Sequence, residues 1–179
     1  MDMNEMKKEL FYEPKHAMEK VDDEVVKAAD DFCEGYKAYL DFAKIERESV
    51  DFFVKEAESR GYTEFDNTKK YSAGDKVYFN NRGKAIILCV FGKKSIAEGV
   101  KISAAHIDSP RLDLKPNPLY EDSSLAYFKT HYYGGIKKYQ WTAIPLALHG
   151  VVVKANGETV KVNVGEDEND PQFCVTDLL

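Results

Sequence analysis

The stretch ISAAHIDSPRLDLKP, residues 102–116, lies where the character of the sequence changes. Before it, helical and strand-like patterns follow one another; after it, β-rich pieces are separated by prolines and glycines. Its centre places His106 two residues before Asp108, just ahead of a Ser-Pro pair. Because residues two apart in a strand project to the same side, this imidazole and this carboxylate are expected to stand next to each other.

Two amphipathic helices are predicted before this stretch. Residues 22–43 carry apolar side chains at helical spacing after an acidic first turn. Residues 45–59 carry a second apolar stripe, and Gly61 is well placed to end that helix. The first part of the chain is therefore predicted to be rich in helix.

Strands are predicted between the second helix and the His106 motif. Residues 77–79 and 85–91 are β-rich runs joined by a turn at residues 80–83. The second run is almost continuously apolar, so it is predicted to be covered on both faces, like the inner strands of an α/β sheet. Residues 100–107 have the pattern of a further strand, whose end would face the crevice where open α/β sheets bind ligands.

A domain boundary is predicted near Pro110. Residues 1–110 are expected to form an α/β part, and residues 111–179 a β-rich part that is all-β from about Leu112. In this second part, the pair Asn156-Gly157 predicts a hairpin with a two-residue turn. The sequence ends on an apolar, strand-like run without a polar tail, which predicts that part of the fold is missing.

Composition and charge exclude several classes of protein. With 44% hydrophobic and 31% charged residues, the chain of 179 residues is typical of a soluble globular protein. A total of 25 Lys and Arg against 31 Asp and Glu gives a net charge of −6, which disfavours a nucleic-acid partner. No apolar run predicts a secretion signal or a membrane span, so a cytoplasmic location is expected. Three widely spaced cysteines are predicted to be buried thiols: Cys33, Cys89 and Cys174.

The pair His106 and Asp108 permits two interpretations. In the first, the neutral imidazole binds a metal such as zinc, and the carboxylate orients the ring and fixes its tautomer. In the second, His106 is a structural histidine and Asp108 caps the turn before Pro110. The H-x-D pattern is too short for spacing to decide between them. The other histidines lie in no ligand-like pattern: His16, His131 and His149.

Three segments together resemble the N-terminal part of aspartyl aminopeptidase-type zinc metallopeptidases. They are SAAHIDSP at residues 103–110, YYGGIKKYQW at residues 132–141 and LALHGVVVK at residues 146–154. A fainter likeness extends from the helix around Tyr39 to Leu179, with the elements in the same order. Many members continue the Tyr-Gly-Gly motif with a third glycine, whereas Ile136 follows in this sequence, which indicates a divergent, bacterial-type branch.

The resemblance implies a fold and a site. The fold is an α/β zinc-peptidase domain interrupted by an inserted β-rich, barrel-like domain that serves for assembly and for closing the active site. His106 is implied to bind one of two catalytic divalent metal ions, usually zinc, and Asp108 to hold that histidine in position. The family's remaining metal ligands and its glutamate general base lie far downstream of the insertion, and they have no counterpart among these 179 residues.

The function implied for the complete enzyme is metal-assisted removal of N-terminal residues from peptides, by a large homo-oligomer. This chain is then expected to be an N-terminal portion that is inactive without the missing C-terminal part of the same protein. One alternative is a non-catalytic assembly or binding module of the same ancestry. Another is a fold that shares only short motifs with the family, which a position of residues 100–107 outside an α/β sheet would favour. Nucleophile-elbow, HExxH and P-loop motifs are absent from the sequence.

Overall fold

The computed structural model describes residues 2–12, 14–142 and 144–176. The chain divides into two compact units, residues 1–41 and 42–179. The first unit contains helix α1 (Met3–Leu10), a single 3₁₀ turn (Ala17–Glu19) and nearly all of helix α2 (Asp23–Phe42). Both α-helices keep their residues exposed or half-exposed.

Helix α2 confirms the helix predicted for residues 22–43. Its start is set by Asp22, whose Oδ1 accepts a hydrogen bond from the backbone N–H of Val25 at 3.0 Å. Acidic residues follow in the first turn, where they complement the partial positive charge of the helix N-terminus. Local sequence alone therefore determines where this helix begins.

Helix α3 (Glu46–Ser59) is the main helix of the second unit and confirms the helix predicted for residues 45–59. At its start, Glu48 Oε2 accepts hydrogen bonds from the backbone N–H groups of Lys44 and Ile45, at 2.8 and 3.3 Å. At its end, Gly61 takes φ +82°, the left-handed conformation that commonly terminates a helix. The helix contributes three buried residues: Ser49, Val50 and Ala57.

A three-stranded sheet packs against α3. Strand β1 (Thr63–Glu64) runs parallel to β2 (Lys76–Asn81), and β2 pairs antiparallel with β3 (Ala85–Val90). The predicted hairpin is confirmed, and its turn is accommodated by positive φ at Arg82 and Gly83. The mixed α/β class expected from the sequence is therefore confirmed.

The burial predicted for β3 is wrong in this chain. Ile86 is half-buried, but the other residues of β3 are exposed, including Cys89. An apolar strand can be buried, but only if another helix or sheet packs on its faces, and the sequence of the strand does not supply that element. The prediction of buried thiols is wrong for the same reason, because Cys33 and Cys174 are exposed as well.

The strand predicted at residues 100–107 is also absent. These residues follow a 3₁₀ turn (Ile96–Glu98) and belong to no strand. A β-strand exists only where its backbone N–H and C=O groups pair with a neighbouring strand, and side-chain pattern cannot provide that neighbour. The His106 motif therefore lies on a segment that no sheet holds in place.

Two hairpins follow the motif. The first joins β4 (Arg111–Asp122) to β5 (Leu125–Tyr133), with a shift of register between Leu114 and Leu119, where the strand carries two prolines that cannot donate ladder hydrogen bonds. A short helix, α4 (Lys138–Trp141), comes next. The expectation of an all-β second half is therefore corrected to a β-rich one.

The second hairpin joins β6 (Leu148–Val153) to β7 (Thr159–Val164) and confirms the hairpin predicted from Asn156-Gly157. Its turn is longer than the predicted two residues. Lys154 still donates its backbone N–H to the carbonyl of Glu158 at 2.8 Å, which leaves three residues in the loop, with Gly157 at φ +86°. A three-residue loop ending in a left-handed glycine is a common hairpin connection.

The domain boundary between residues 1–110 and 111–179 stays a prediction.

In the described part of the chain, no helix has both the length and the hydropathy needed to cross a membrane.

Candidate metal centre

His106 and Asp108 contact each other in the unpaired segment that leads into β4. His106 Nδ1 lies 2.8 Å from the backbone carbonyl oxygen of Asp108 and 3.3 Å from its Oδ1. Because a carbonyl oxygen can only accept a hydrogen bond, Nδ1 carries the hydrogen. In the neutral imidazole, Nε2 then keeps its lone pair, and the side chain of His106 is 79% exposed. The ring therefore presents one nitrogen suited to a metal ion.

The donor chemistry fits one ligand position of a zinc site. An imidazole whose second nitrogen donates to a carboxylate or a carbonyl is the usual histidine arrangement around zinc. The described residues contain no group of three or more His, Cys, Asp or Glu side chains that could hold a metal ion. His106 as metal ligand and Asp108 as its orienting residue stay predictions.

The segment that carries the motif is held from the side of α3. Ser49 Oγ donates a hydrogen bond to the backbone carbonyl oxygen of Ile107, at 3.3 Å. Ile107 is the residue between His106 and Asp108, and Ser49 lies 58 positions earlier in the chain. Nothing in the local sequence of either residue indicates this contact.

The Tyr-Gly-Gly motif meets the His106 motif at Pro110. Gly134 takes φ +77°, and a Cβ built on it would lie 3.3 Å from the Cα of Pro110. Arg111, which follows Pro110, pairs with Tyr133 across strands β4 and β5. The guanidinium of Arg111 lies 4.3 Å from the centre of the Tyr133 ring. Glycine is therefore required at this position for backbone conformation and close approach, as expected of a turn.

Arg111 is a fixed cation beside the motif. Its Nε lies 2.7 Å from Asp113 Oδ1, and its Nη2 lies 3.0 Å from Glu46 Oε1. Burial disfavours the charged guanidinium, but the hydrogen bond to Asp113 and the nearby carboxylates, including Asp108, outweigh it and raise the pKa of Arg111. This cation links the start of α3 to the start of β4.

His149 is a histidine that no sequence pattern singled out. Its side chain is 8% exposed, with Nδ1 2.9 Å from Glu48 Oε1 and Nε2 2.8 Å from Glu166 Oε1. Each ring nitrogen therefore faces a carboxylate oxygen, one from α3 and one from the loop after β7. Glu48 lies 101 positions away, so local sequence carried no signal of the pair.

The remaining histidines lie outside any such cluster. His16 is exposed and accepts a hydrogen bond from the backbone N–H of Met18 at 3.3 Å. His131 is exposed, and its ring stacks on that of Tyr132. Local backbone capping and strand-surface stacking account for both positions.

A cleft of about 650 Å³ adjoins Arg111 and His149. Residues around the start of α3 and from strands β4, β6 and β7 line it, and neither His106 nor Asp108 belongs to its lining. The candidate metal ligand is therefore outside this cleft, on a more open surface.

Comparison with known proteins identifies relatives across most of the chain. The family model described as aminopeptidase I zinc metalloprotease (M18) matches residues 39–179. A protein named probable M18 family aminopeptidase 1, from Clostridium acetobutylicum, is 50% identical in an alignment 178 residues long that covers 97% of this chain and 38% of that protein. The chain thus spans less than half the length of this relative.

Solved structures give the same result. The crystal structure of aminopeptidase I from Borrelia burgdorferi B31 aligns with a TM-score of 0.84 at 38% identity, covering 91% of this chain and 40% of that one. The crystal structure of aminopeptidase I from Clostridium acetobutylicum aligns with a TM-score of 0.77 at 48% identity, covering 95% and 38%.

The match extends well beyond short motifs, so the alternative of a fold that shares only those motifs with the family is wrong, although residues 100–107 form no strand. The family model matches from the last turn of α2 through α3, the three-stranded sheet and both later hairpins. The chain therefore belongs to the aminopeptidase I zinc metalloprotease (M18) family.

Proposed function

We propose that this chain is the N-terminal part of a dinuclear-metal aminopeptidase that removes N-terminal residues from peptides. Family membership supports the reaction class, and the relative named probable M18 family aminopeptidase 1 is more than twice as long. The observation that carries the proposal is the His106 ring, whose Nδ1 is held by Asp108 while Nε2 stays exposed.

His106 would supply one ligand to one of two divalent metal ions, with zinc as the metal that the family description names. When bound, such a metal polarises the scissile carbonyl and yields a nucleophile from water at neutral pH. Asp108 would keep the imidazole in the tautomer that leaves Nε2 free of hydrogen and would raise its basicity. The other ligands and the general base would come from the rest of the protein.

The remainder of the protein is proposed as the first partner of this chain. Residues 1–110 would belong to the peptidase domain and residues 111–179 to an inserted, β-rich assembly and lid domain. The exposed apolar side chains of β3 favour a covering layer that the described residues do not supply. We also propose a cytoplasmic homo-oligomer, because a β-rich insertion with exposed aromatic residues on β4 and β5 suits assembly.

The test is metal content and intact mass of the protein expressed from its complete reading frame. We expect about two metal ions per chain in the native protein and about one in the His106→Ala variant, with peptide hydrolysis abolished. His131→Ala is the matched control, since His131 is also an exposed histidine but lies on the ladder of β5. Unchanged metal content and normal hydrolysis in His106→Ala would overturn the proposal.

The same measurement tests the alternative, a non-catalytic assembly or binding module of the same ancestry. A natural product of 179 residues that binds no metal would favour that module. His106 and Asp108 would then be relics of an ancestral site, and the β-rich part would carry whatever function remains.

A further inference from the structure

Ser49 is a buried polar side chain on α3 whose hydroxyl is directed at the candidate metal motif. It is 1% exposed, and it adjoins Val50, which is fully buried. Its Oγ lies 3.3 Å from the carbonyl oxygen of Ile107. Burying a hydroxyl costs free energy unless the hydroxyl is hydrogen-bonded, and the bond to Ile107 helps to satisfy this one.

The bond acts on the motif through a rigid peptide group. The carbonyl of Ile107 and the N–H of Asp108 belong to one planar peptide group. Holding the carbonyl oxygen in place therefore also holds the backbone nitrogen of Asp108. Asp108 in turn holds Nδ1 of His106 through its own carbonyl oxygen at 2.8 Å. The orientation of the exposed imidazole therefore depends, through two hydrogen bonds, on a hydroxyl in the interior.

This support has particular weight because the motif lacks a sheet. Residues 100–108 belong to no strand, so no ladder of backbone hydrogen bonds sets their position. Helix α3, by contrast, contacts the β-rich part at two partly buried points, through Glu46 to Arg111 at 3.0 Å and through Glu48 to His149 at 2.9 Å. Helix α3 is thus anchored by other contacts, and Ser49 on this helix can hold residues 100–108 in position.

We propose that Ser49 is a positioning residue for the metal ligand His106. The inference rests on the proposed function, since it assigns Ser49 a role in metal binding by that histidine. Ser49 itself touches neither metal nor substrate. It sets the peptide between Ile107 and Asp108, and thereby the direction in which Nε2 of His106 points.

The test uses cobalt(II) as probe in the protein expressed from its complete reading frame. Affinity is measured by competition with a chelator, and the visible absorption spectrum reports ligand geometry. Ser49→Ala should weaken cobalt binding about tenfold and alter the spectrum, as loss of outer support for a metal ligand does. Ser49→Thr keeps the hydroxyl and should restore most of the affinity.

Ser59→Ala is the matched control. Ser59 lies on the same helix and also donates to a backbone carbonyl, that of Glu56 at 2.8 Å, but it is exposed and remote from the motif. This variant should bind cobalt like the native protein. If Ser49→Ala fails to fold, Ser49→Cys, which keeps the side-chain shape with a weaker donor, replaces it, and its affinity should also fall.

Two outcomes separate this inference from the function on which it rests. If Ser49→Ala lowers only the melting temperature of the metal-free protein, and cobalt affinity and spectrum stay native, Ser49 is merely structural and the inference is overturned. Native affinity in a folded Ser49→Cys variant would overturn it equally. If His106→Ala binds cobalt as the native protein does, the proposed function fails, whatever the Ser49 variants show.

Discussion

In the hairpin β2–β3, the less hydrophobic strand, β2, is the more deeply buried one. Strand β2 reads KVYFNN and β3 reads AIILCV, yet β2 contains the buried residues Val77 and Tyr78. In β3, by contrast, Val90 is 53% exposed. Hydrophobicity makes burial of a strand favourable, but the elements that pack around the strand determine whether its residues are buried.

Strand β2 is the central strand of its sheet and β3 is an edge strand, and both of them contact helix α3. Residue Glu58 of α3 accepts a hydrogen bond from the hydroxyl of Tyr78 at 2.8 Å, so the helix binds β2 through a polar contact as well as an apolar one. Within the described chain, no side chain of β3 makes a comparable hydrogen bond to the helix. Chemically similar residues in the two settings should therefore respond differently to the same substitution.

The largest difference is expected between Val77→Asp and Val90→Asp. Val77 is 4% exposed, so an aspartate there buries an unpaired charge and should cost about 3 kcal/mol or more of unfolding free energy. Val90→Asp should cost less than about 0.5 kcal/mol in the 179-residue chain. Urea unfolding followed by circular dichroism measures both. Equal losses would show that β3 is buried in solution.

A second difference is expected between two polar contacts of α3, Glu48 with His149 and Asp51 with Lys161. His149→Ala removes a nearly buried ring that two carboxylates contact, and should cost about 2 kcal/mol. Lys161→Ala removes an exposed partner of Asp51 and should cost less than about 0.5 kcal/mol. Chemical denaturation of both variants at low and high salt measures this. A loss at Lys161 as large as that at His149 would contradict the contrast.

A third difference is expected within the Tyr-Gly-Gly motif. Gly134→Ala places a Cβ 3.3 Å from Pro110 in a left-handed backbone conformation and should cost about 1.5 kcal/mol. Gly135→Ala meets nothing within 4 Å and should be nearly neutral. Melting temperatures of the two variants give the comparison, and a neutral Gly134→Ala would show that the contact with Pro110 does not persist in solution.

The smallest effect is expected at Tyr78, where it depends on pH. The hydrogen bond to Glu58 and burial raise the pKa of Tyr78 to about 12. A raised pKa means that the folded state favours the protonated phenol. The stabilisation of the folded state by this phenol is therefore complete below the unfolded-state pKa of about 10 and is lost as pH rises toward about 12. Tyr78→Phe should therefore cost about 1 kcal/mol at neutral pH.

The check is urea unfolding of both proteins at neutral and strongly alkaline pH. The native protein's advantage over Tyr78→Phe should shrink as pH rises from about 10 to about 12, while other alkaline effects act on both proteins alike. An advantage that is independent of pH would show that the phenol does not donate to Glu58.

The sequence by itself determined the features that depend on near neighbours. The start of α2 at Asp22, the end of α3 at Gly61 and both predicted hairpins follow from capping, turn chemistry and periodicity. His106 and Asp108 also contact each other as expected, although the strand on which that expectation rested is absent and the shortest contact is to the backbone carbonyl oxygen of Asp108. The family resemblance also came from short segments that the sequence displays directly.

Only the tertiary structure decided the features that join distant residues. The exposure of β3, the unpaired backbone of residues 100–107, the carboxylates around His149 and the hydroxyl of Ser49 at Ile107 all depend on which element lies opposite. Burial and strand pairing are properties of two partners, whereas side-chain pattern describes one. For that reason the sequence located the candidate metal ligand, and the fold identified what holds it.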